Sequence, residues 1–440
     1  DVSSSKIVVK NLLIVIVISF INSVIFLPVF LIYTKNLLDK PRFIAKYLKN
    51  SDNYLIWRKF ASHVVEHPKR YFILSLSVLL LFALPVYNIK LWEPSQTLAP
   101  SDSESMQGYK LLEKDNWGGE LIPIEIAIKS SEIIYTKDFI SFVYDFTKYL
   151  ENNPNVSSVQ SITSWNKKFS KNDYFTLYNS LYPLGLISQN TQIQNMVNIN
   201  TGENITLIKV FQKSLMDIES SHKIIKYVKE FNKNSKYDIY VGGMTARAKD
   251  FTNELYNYMP QMFFIIFVSI YILLFFYMKS AILPIKASIM NFLPILSSYG
   301  IIVLIFQYGY LHQILNTPIN HAVTAMVPLT LFCIVFGLSM DYEVLILSRI
   351  SESYEQTNDV KEAVIEGLAR SGSVITGAAL IMLVVFIPGI FSTSPGIKEI
   401  CIGIIAAIFI DSTIVRLFLV PSFVILMGKW NWWTPFKSKK

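Results

Sequence analysis

Long apolar segments and polar stretches alternate along the chain, and seven of the apolar segments approach the length of a membrane-spanning helix. Such a helix needs about 17–25 largely apolar residues. The predicted spans are Leu12–Tyr33, Tyr71–Tyr87, Pro260–Tyr277, Ala287–Phe306, Ala322–Ser348, Val374–Phe391 and Glu399–Leu426. The pattern therefore predicts a polytopic α-helical membrane bundle of about seven spans.

The polar stretch between the second and third spans has the pattern of an α+β domain. Ile122–Lys129 alternates apolar and polar residues, which is typical of a half-buried strand. Further strands are predicted at Val156–Ile162, Ile205–Phe211 and Asp238–Val241, and amphipathic helices at Asp138–Asn152 and Asp217–Asn232. Two β-α-β units in this order, separated by an insertion, predict a ferredoxin-like domain.

Positive charges predict which side of the membrane each loop faces. Lys and Arg between the first two spans place that loop in the cytoplasm, as do Lys279 and Lys286 for the short loop after the third span. The α+β domain then lies outside the cytoplasm. The predicted organisation is a first span in residues 1–34, a cytoplasmic linker in 35–70, a span in 71–88, the α+β domain in 89–256, five spans in 257–428 and a cytoplasmic tail in 429–440.

Composition agrees with a membrane protein. The chain has 440 residues, of which 52% are hydrophobic and only 16% are charged, which excludes a disordered or an ordinary soluble protein. The net charge of +8 indicates a basic surface facing anionic lipid, and no nucleic-acid-binding motif is visible. Cys333 and Cys401 fall in apolar helices, where we expect buried thiols rather than a disulfide or a metal site.

We expect neither an enzyme nor a cofactor. The sequence has no phosphate-binding Gly-Lys-Ser/Thr loop, which leaves an ion gradient, above all of protons, as the expected energy source. The chain begins at Asp1 and soon enters a span, so we expect it to be part of a longer protein. Asn155 and Asn204 each begin a glycosylation sequon, and the sequence leaves their occupancy open.

Asp341 is the residue with the strongest functional signal. It lies in an apolar segment, and a carboxylate inside a bilayer costs at least about 2.5–3.5 kcal/mol, so it is a functional-site hypothesis by default. One interpretation is proton binding and the other is a structural ion pair. Arg349 is eight residues further on, about two helical turns away, so we do not expect a direct pair with it.

The neighbouring polar residues leave alternatives open. Tyr342 is either a hydrogen-bond donor to a carboxylate across the bundle or a packing residue, and Glu343 either lines a proton path or meets water at the helix end. Ser339 is expected to bond the backbone of its own helix. Asp411 and Arg416 share the last span, and we expect them to compensate charge, with each other or with neighbours, or to serve proton access.

Several motifs together resemble one known family. They are Val241-Gly242-Gly243-Met244-Thr245-Ala246, Leu283-Pro284-Ile285-Lys286-Ala287, Gly337-Leu338-Ser339-Met340-Asp341-Tyr342-Glu343 with Ser348-Arg349, and Thr413-Ile414-Val415-Arg416 after Asp411. In this order the chain resembles the C-terminal half of an MmpL-type transporter of the resistance-nodulation-division (RND) superfamily. Each motif alone is weak, and it is their order and topology that make the resemblance specific.

The resemblance implies a proton-driven exporter of lipids or other hydrophobic molecules in the plasma membrane. It also implies that Asp341 and Tyr342 are one half of an intramembrane proton relay, and that the α+β domain is a porter domain. The implied partners are membrane lipids, a lipidic substrate, the N-terminal half of the same protein and further copies of it. The alternatives are a lipid- or sterol-sensing receptor, a protein-export accessory of the same superfamily, and a membrane-anchored surface-binding module.

Overall fold

The first part of the chain is a long apolar helix. The computed structural model describes residues 2–38, 52–92, 103–114, 122–187, 191–198, 202–213, 218–232, 235–278, 280–315 and 322–433. Contacts divide the chain into Asp1–Phe60 and Ala61–Lys440. In the first unit, α1 (Val2–Ile21) continues through a π-helical turn into α2 (Leu27–Leu38). Its segment Leu13–Thr34 is long and apolar enough to cross a membrane, close to the predicted span.

Two further helices precede the α+β domain along the chain. Helix α3 (Asp52–Glu66) precedes α4 (Pro68–Ala83), and Pro68 sits in the first turn of α4, where its missing N–H costs nothing. A 3₁₀ turn at Leu84–Asn88 ends this span, and the short strand β1 (Leu91–Trp92) follows. The predicted linker of residues 35–70 is therefore helical in the part that the structure describes.

The α+β domain contains a four-stranded antiparallel sheet with helices from both β-α-β units. Its elements are α5 (Glu104–Lys114), β2 (Ile124–Lys129), α6 (Lys137–Glu151), β3 (Val156–Gln160), α7 (Lys171–Leu181), α8 (Thr191–Gln194), β4 (Ile205–Gln212), α9 (Ile218–Asn232) and β5 (Asp238–Gly242). The strand order is β3-β4-β2-β5, so another strand separates the ends of each β-α-β unit. This is the predicted ferredoxin-like arrangement.

The alternating pattern of β2 explains how the domain forms its core. Ile124, Ile126 and Ile128 are fully buried on one face, and in the register Ile126 is opposite Ile208 of β4 and Val241 of β5. The apolar side of α6 covers this face, because its buried residues recur with helical spacing. The domain thus has its own hydrophobic core.

The bundle is built from the remaining long helices. They are α10 (Gly243–Met278), α11 (Ile282–Ile302) with a π-helical turn after it, the short α12 (His312–Leu315) and strand β6 (Val323–Thr324), α13 (Met326–Thr357), α14 (Val360–Ile390), and α15 (Pro395–Ile410), which continues through a π-helical segment (Asp411–Leu419) into α16 (Val420–Met427). Within the described residues, seven helices are long and apolar enough to cross a membrane. The predicted membrane bundle is confirmed, whereas the side that faces the cytoplasm stays a prediction.

Two helices are longer than the sequence pattern predicts. Helix α10 begins seventeen residues before Pro260, the predicted start of that span, so it runs without interruption from the sheet into the bundle. Helix α14 begins fourteen residues before Val374, the predicted start of its span. Its N-cap is Asp359, whose side chain accepts a hydrogen bond of 2.8 Å from the Lys361 backbone. In both helices the first part is polar, so the apolar pattern of the sequence marks only the later part as a span.

The domain and the bundle are also joined by backbone pairing. Strands β1 and β6 are parallel, with Leu91 opposite Val323 and Trp92 opposite Thr324. Because β6 directly precedes α13, the helix that carries Asp341 is connected through two residue pairs to the strand that leads into the α+β domain.

Candidate functional site

A buried ion pair lies at the centre of the bundle. Arg416 donates to Asp411 Oδ2 through both Nε, at 3.0 Å, and Nη2, at 2.6 Å. The two side chains are only 3% and 7% exposed. They are five residues apart in the π-helical segment, whose hydrogen bonds link residues five apart and so bring these side chains onto one side. Asp411 and Arg416 compensate each other, one of the alternatives that the sequence left open.

Ser339 of α13 joins this pair to two other helices. Its hydroxyl lies 2.8 Å from Asp411 Oδ2 and 3.0 Å from Oδ1 of Asn291 on α11. The single hydroxyl proton can be given to only one of these acceptors at a time. The expectation that Ser339 bonds its own helix backbone was wrong, because stronger acceptors from α11 and the π-helical segment lie within its reach.

Arg416 also holds the backbone of α13. Its Nη2 donates to the Ser339 carbonyl oxygen and lies 3.1 Å from the Ser339 hydroxyl. The Asn291 amide donates to the Met340 sulfur at 2.9 Å. Four side chains from three segments therefore form one polar network inside an apolar bundle. A buried polar network of this kind fixes how the helices pack, since leaving one member unpaired costs the full desolvation penalty of that group.

Asp341 lies outside this network. It is exposed on the face of α13 that also carries Cys333 and Gly337, at intervals of four residues. No ion pair or hydrogen bond of its side chain is found among the residues that the structure describes. Arg349 instead pairs with Glu352 at 2.9 Å, so the structural pair of Asp341 with Arg349 is absent from the described chain. The prediction that Cys333 is a buried thiol was wrong, because this face of α13 is uncovered in the described chain.

Tyr342 lies between the exposed carboxylate and the buried network. The Arg416 guanidinium carbon stands 4.7 Å from the centre of the Tyr342 ring, a cation–π contact. Its hydroxyl donates to the sulfur of Met382 on α14 at 3.4 Å. The ring therefore packs on the buried cation, while its backbone is adjacent to Asp341.

Glu343 and Lys286 form a second buried charged group. Glu343 of α13 is 3% exposed and Lys286 of α11 is 4% exposed. Glu343 therefore does not meet water at a helix end. The assignment of Lys286 to a loop was also wrong, because α11 begins four residues before it. Lys279 lies outside the described residues.

The charged groups of the site are carboxylates, a guanidinium and an ammonium group. Among the described residues, no group of three or more His, Cys, Asp or Glu is placed to hold a metal ion. Two carboxylates, Asp411 and Glu343, and two cations, Arg416 and Lys286, are thus buried among the helices of the bundle. The bundle, its charged centre and the α+β domain together define a polytopic membrane protein with a folded polar domain inserted between its spans.

The comparison with known proteins identifies the family. The model of the MMPL family matches residues 97–440, so the chain belongs to the MMPL family, as the motifs predicted. Similar proteins include a mycolic acid-containing lipids exporter, MmpL11, of Mycolicibacterium smegmatis, which is 38% identical over 195 residues. A heme uptake protein, MmpL11, of Mycobacterium tuberculosis is 37% identical over 195 residues, and a trehalose monomycolate exporter, MmpL3, of the same species is 35% identical over 231 residues.

These similarities cover only part of each protein. The matched segments are 44% of this chain and 20% of the relative for both MmpL11 proteins, and 52% and 24% for MmpL3. The chain thus spans well under two thirds of the length of these relatives. All of them carry names of transport proteins, although their stated cargoes differ.

Proposed function

We propose that this chain is the C-terminal half of a proton-driven exporter of lipids or other hydrophobic molecules. The observation that carries the proposal is the position of Asp341, an exposed carboxylate on an apolar helix, directly beside the buried network of Asp411 and Arg416. A carboxylate at membrane depth is costly unless a partner or a function compensates it. On this proposal its partner is supplied by the N-terminal half of the same protein.

Protonation of Asp341 removes one charge from the face where the two halves meet. The Tyr342 ring then transmits the change, because it packs on Arg416, which in turn holds the Ser339 backbone and Asp411. A 100 mV potential supplies about 2.3 kcal/mol for each proton, so a few protons in each cycle provide a substantial free energy.

Two connections carry the movement to the porter domain. Helix α13 is continuous with β6, which pairs with β1 at the entrance of the domain. Helix α10 runs unbroken from β5 into the bundle. A shift of the bundle helices therefore acts on the porter domain through both connections. This coupling favours a transporter over a membrane-anchored surface-binding module in which Asp341 is only structural.

The cargo is proposed only as a class. The relatives are named for mycolic acid-containing lipids, for trehalose monomycolate and for heme, all of which carry extended hydrophobic parts. A lipid-sensing receptor of the same fold would retain the network but would not depend on the proton gradient.

The test is the Asp341→Asn variant in the intact transporter. We expect it to insert and fold normally and to lose transport of a fluorescent lipid in vesicles with an imposed pH gradient. The matched control is Glu352→Gln, which removes an exposed carboxylate from the same helix and should transport at the normal rate. Normal gradient-driven transport by well-expressed Asp341→Asn would refute the relay. Wild-type binding of lipid with no gradient dependence would favour the receptor.

A further inference from the structure

A buried glutamine connects the bundle to the segment that enters the α+β domain. Gln307 is the last residue of the π-helical turn after α11 and is 6% exposed. Its side-chain amide donates to the Asn88 carbonyl oxygen at 2.9 Å, and its Oε1 accepts from the Lys90 N–H at 3.0 Å. Asn88 ends the 3₁₀ turn after α4, and Lys90 directly precedes β1. The amide thus pairs with this backbone as a neighbouring strand would.

The other side of the same segment is paired with the strand that leads into α13. The Lys90 carbonyl oxygen accepts from the Val323 N–H at 2.8 Å. The Trp92 carbonyl oxygen accepts from the Ala325 N–H at 2.9 Å. Lys90 is therefore held from both sides, through its N–H by Gln307 and through its carbonyl oxygen by Val323. The entry strand β1 lies between the end of α11 and the beginning of α13.

A third helix of the bundle is attached to this junction. The Thr324 N–H donates to Oε2 of Glu399, a buried residue of α15, at 2.9 Å. Successive backbone N–H groups of a strand point to opposite sides, so β6 bonds β1 on one side and Glu399 on the other. Segments of α11, α13 and α15 and the entry strand are thus joined by one set of hydrogen bonds.

The chemistry of a glutamine side chain suits this position. Its neutral amide carries both a donor group and an acceptor oxygen, and the junction presents one backbone acceptor and one backbone donor to it. A Met side chain of similar length would fill the space but form neither bond. An ionised Glu would only accept, whereas a protonated Glu would both donate and accept, as Gln does.

We propose that Gln307 is a positioning residue that makes the ends of α11 and α13 move as one unit with the strand that enters the α+β domain. Strands β1 and β6 are only two residues long, so their pairing alone is a short connection. Gln307 adds two hydrogen bonds from a third segment, which resist sliding of β1 along β6. The inference rests on the proposed transport, in which a movement of α13 has to reach the α+β domain. It assigns this step to a side chain outside the charged centre of the bundle.

The first experiment compares Gln307→Met with Gln212→Met in the intact transporter. Gln212 is 1% exposed, and its Oε1 accepts from the Ser221 hydroxyl at 2.6 Å within the α+β domain. The control therefore removes a buried hydrogen bond without changing the junction. We expect gradient-driven lipid transport per folded molecule to fall about tenfold in Gln307→Met, which corresponds to about 1.4 kcal/mol, and to be unchanged in Gln212→Met. Wild-type transport by Gln307→Met, or an equal fall in both variants, would overturn the proposal.

A conservative variant separates positioning from packing. In Gln307→Glu the ionised carboxylate accepts from Lys90 but cannot donate to Asn88, whereas the protonated carboxyl group can form both bonds. We expect the transport rate of Gln307→Glu, relative to wild type at the same pH, to recover in acidic buffer, and Gln307→Met to show no such recovery. A Gln307→Glu protein as slow as Gln307→Met at every pH would contradict the proposal.

Amide hydrogen exchange followed by mass spectrometry tests the junction without transport. We expect residues 88–92 to exchange faster in Gln307→Met than in the wild type or in Gln212→Met, and unchanged exchange would overturn the proposal. If Asp341→Asn abolishes gradient-driven transport while Gln307→Met transports at the wild-type rate, only the inference about the junction fails. If Asp341→Asn transports normally, the proposed relay fails, and faster exchange in Gln307→Met still supports the role of Gln307 at the junction.

Discussion

Ser339 lies 2.8 Å from the carboxylate of Asp411, a residue 72 positions later in the chain. This contact ties α13, which carries Asp341, to the π-helical segment near the end of the bundle. The Ser339 hydroxyl also lies 3.0 Å from Oδ1 of Asn291 on α11, so it stands where three helical segments approach each other. The part of α13 that carries Asp341 is thus fixed by Ser339, Asn291 and Asp411, which do not face the uncovered side of this helix.

Replacing Ser339 with Ala should loosen this junction. The change removes the one hydroxyl proton that either the Asn291 oxygen or Asp411 accepts, and leaves that buried acceptor without this donor, so we expect a loss of about 1–3 kcal/mol in the free energy of unfolding. Unfolding in detergent, followed by circular dichroism, measures it. The control is Ser348→Ala, whose hydroxyl bonds only the Leu345 carbonyl of its own helix and should matter little. Equal losses for both variants would argue against the cross-helix role.

The ion pair of Asp411 and Arg416 provides a stronger test of the network. Arg416→Met leaves a buried carboxylate without its cation, and we expect a loss of about 3–5 kcal/mol in stability. The double variant Asp411→Asn/Arg416→Met removes both charges and should recover most of that loss. Thermal unfolding of the three proteins provides the comparison. If the double variant is as unstable as Arg416→Met, packing rather than charge would explain the effect.

Particular residues show how far the sequence alone could lead. The sheet was predictable because Ile124, Ile126 and Ile128 alternate with more exposed residues and all face one core. Asp341 was predictable as a functional-site candidate because a charged residue within an apolar segment is visible in the sequence itself. The charged pair of Asp411 and Arg416 was visible as well, although the π-helical segment that brings them onto one side was not.

Other features depend on where helices begin and which of their faces is covered. Lys286 was assigned to a loop because a Lys near an apolar segment usually marks its end, yet α11 begins at Ile282 and buries it. Ser339 was assigned to its own helix because the sequence does not show that Arg416 and Asn291 lie beside it. Cys333 was expected to be buried, since periodicity does not show that one side of α13 is uncovered.

Close approach of α4 and α11 depends on a glycine. A Cβ added at Gly300 would overlap the carbonyl oxygen of Phe82, which belongs to the backbone and cannot move aside easily. We expect Gly300→Ala to force the helices apart and to cost about 1–3 kcal/mol, the range for overpacked cores. Thermal unfolding in detergent measures the change.

The matched control for this change is Gly377→Ala in α14. A Cβ at Gly377 would have no neighbour within 4 Å. Because Ala stabilises a helix interior by about 0.5–1 kcal/mol relative to Gly, the control should gain stability where Gly300→Ala loses it. A gain for both variants would show that α4 and α11 can separate without cost.

A histidine of the α+β domain should make the stability of the protein depend on pH. His222 of α9 packs edge-on against the Trp92 ring, with 5.1 Å between ring centres, and its Nε2 is buried with no partner in the described residues. Burial, and to a lesser extent the nearby Lys249, lower the pKa of His222 below its ordinary value of 6.5. The lysines at positions 223, 226 and 229 share this cleft with Glu219 and Glu230 and leave it net positive.

The sign of the effect follows from proton binding. As the pH falls through about 6.5, the unfolded chain protonates His222 while the folded protein keeps it neutral, so stability is full above this pH and falls below it. We expect the melting temperature to drop between about pH 7.5 and pH 5.5, and to drop less in His222→Gln. His312→Gln, which removes a histidine outside the α+β domain, should behave as the wild type. An equal drop in wild type and His222→Gln would show that His222 is not the group responsible.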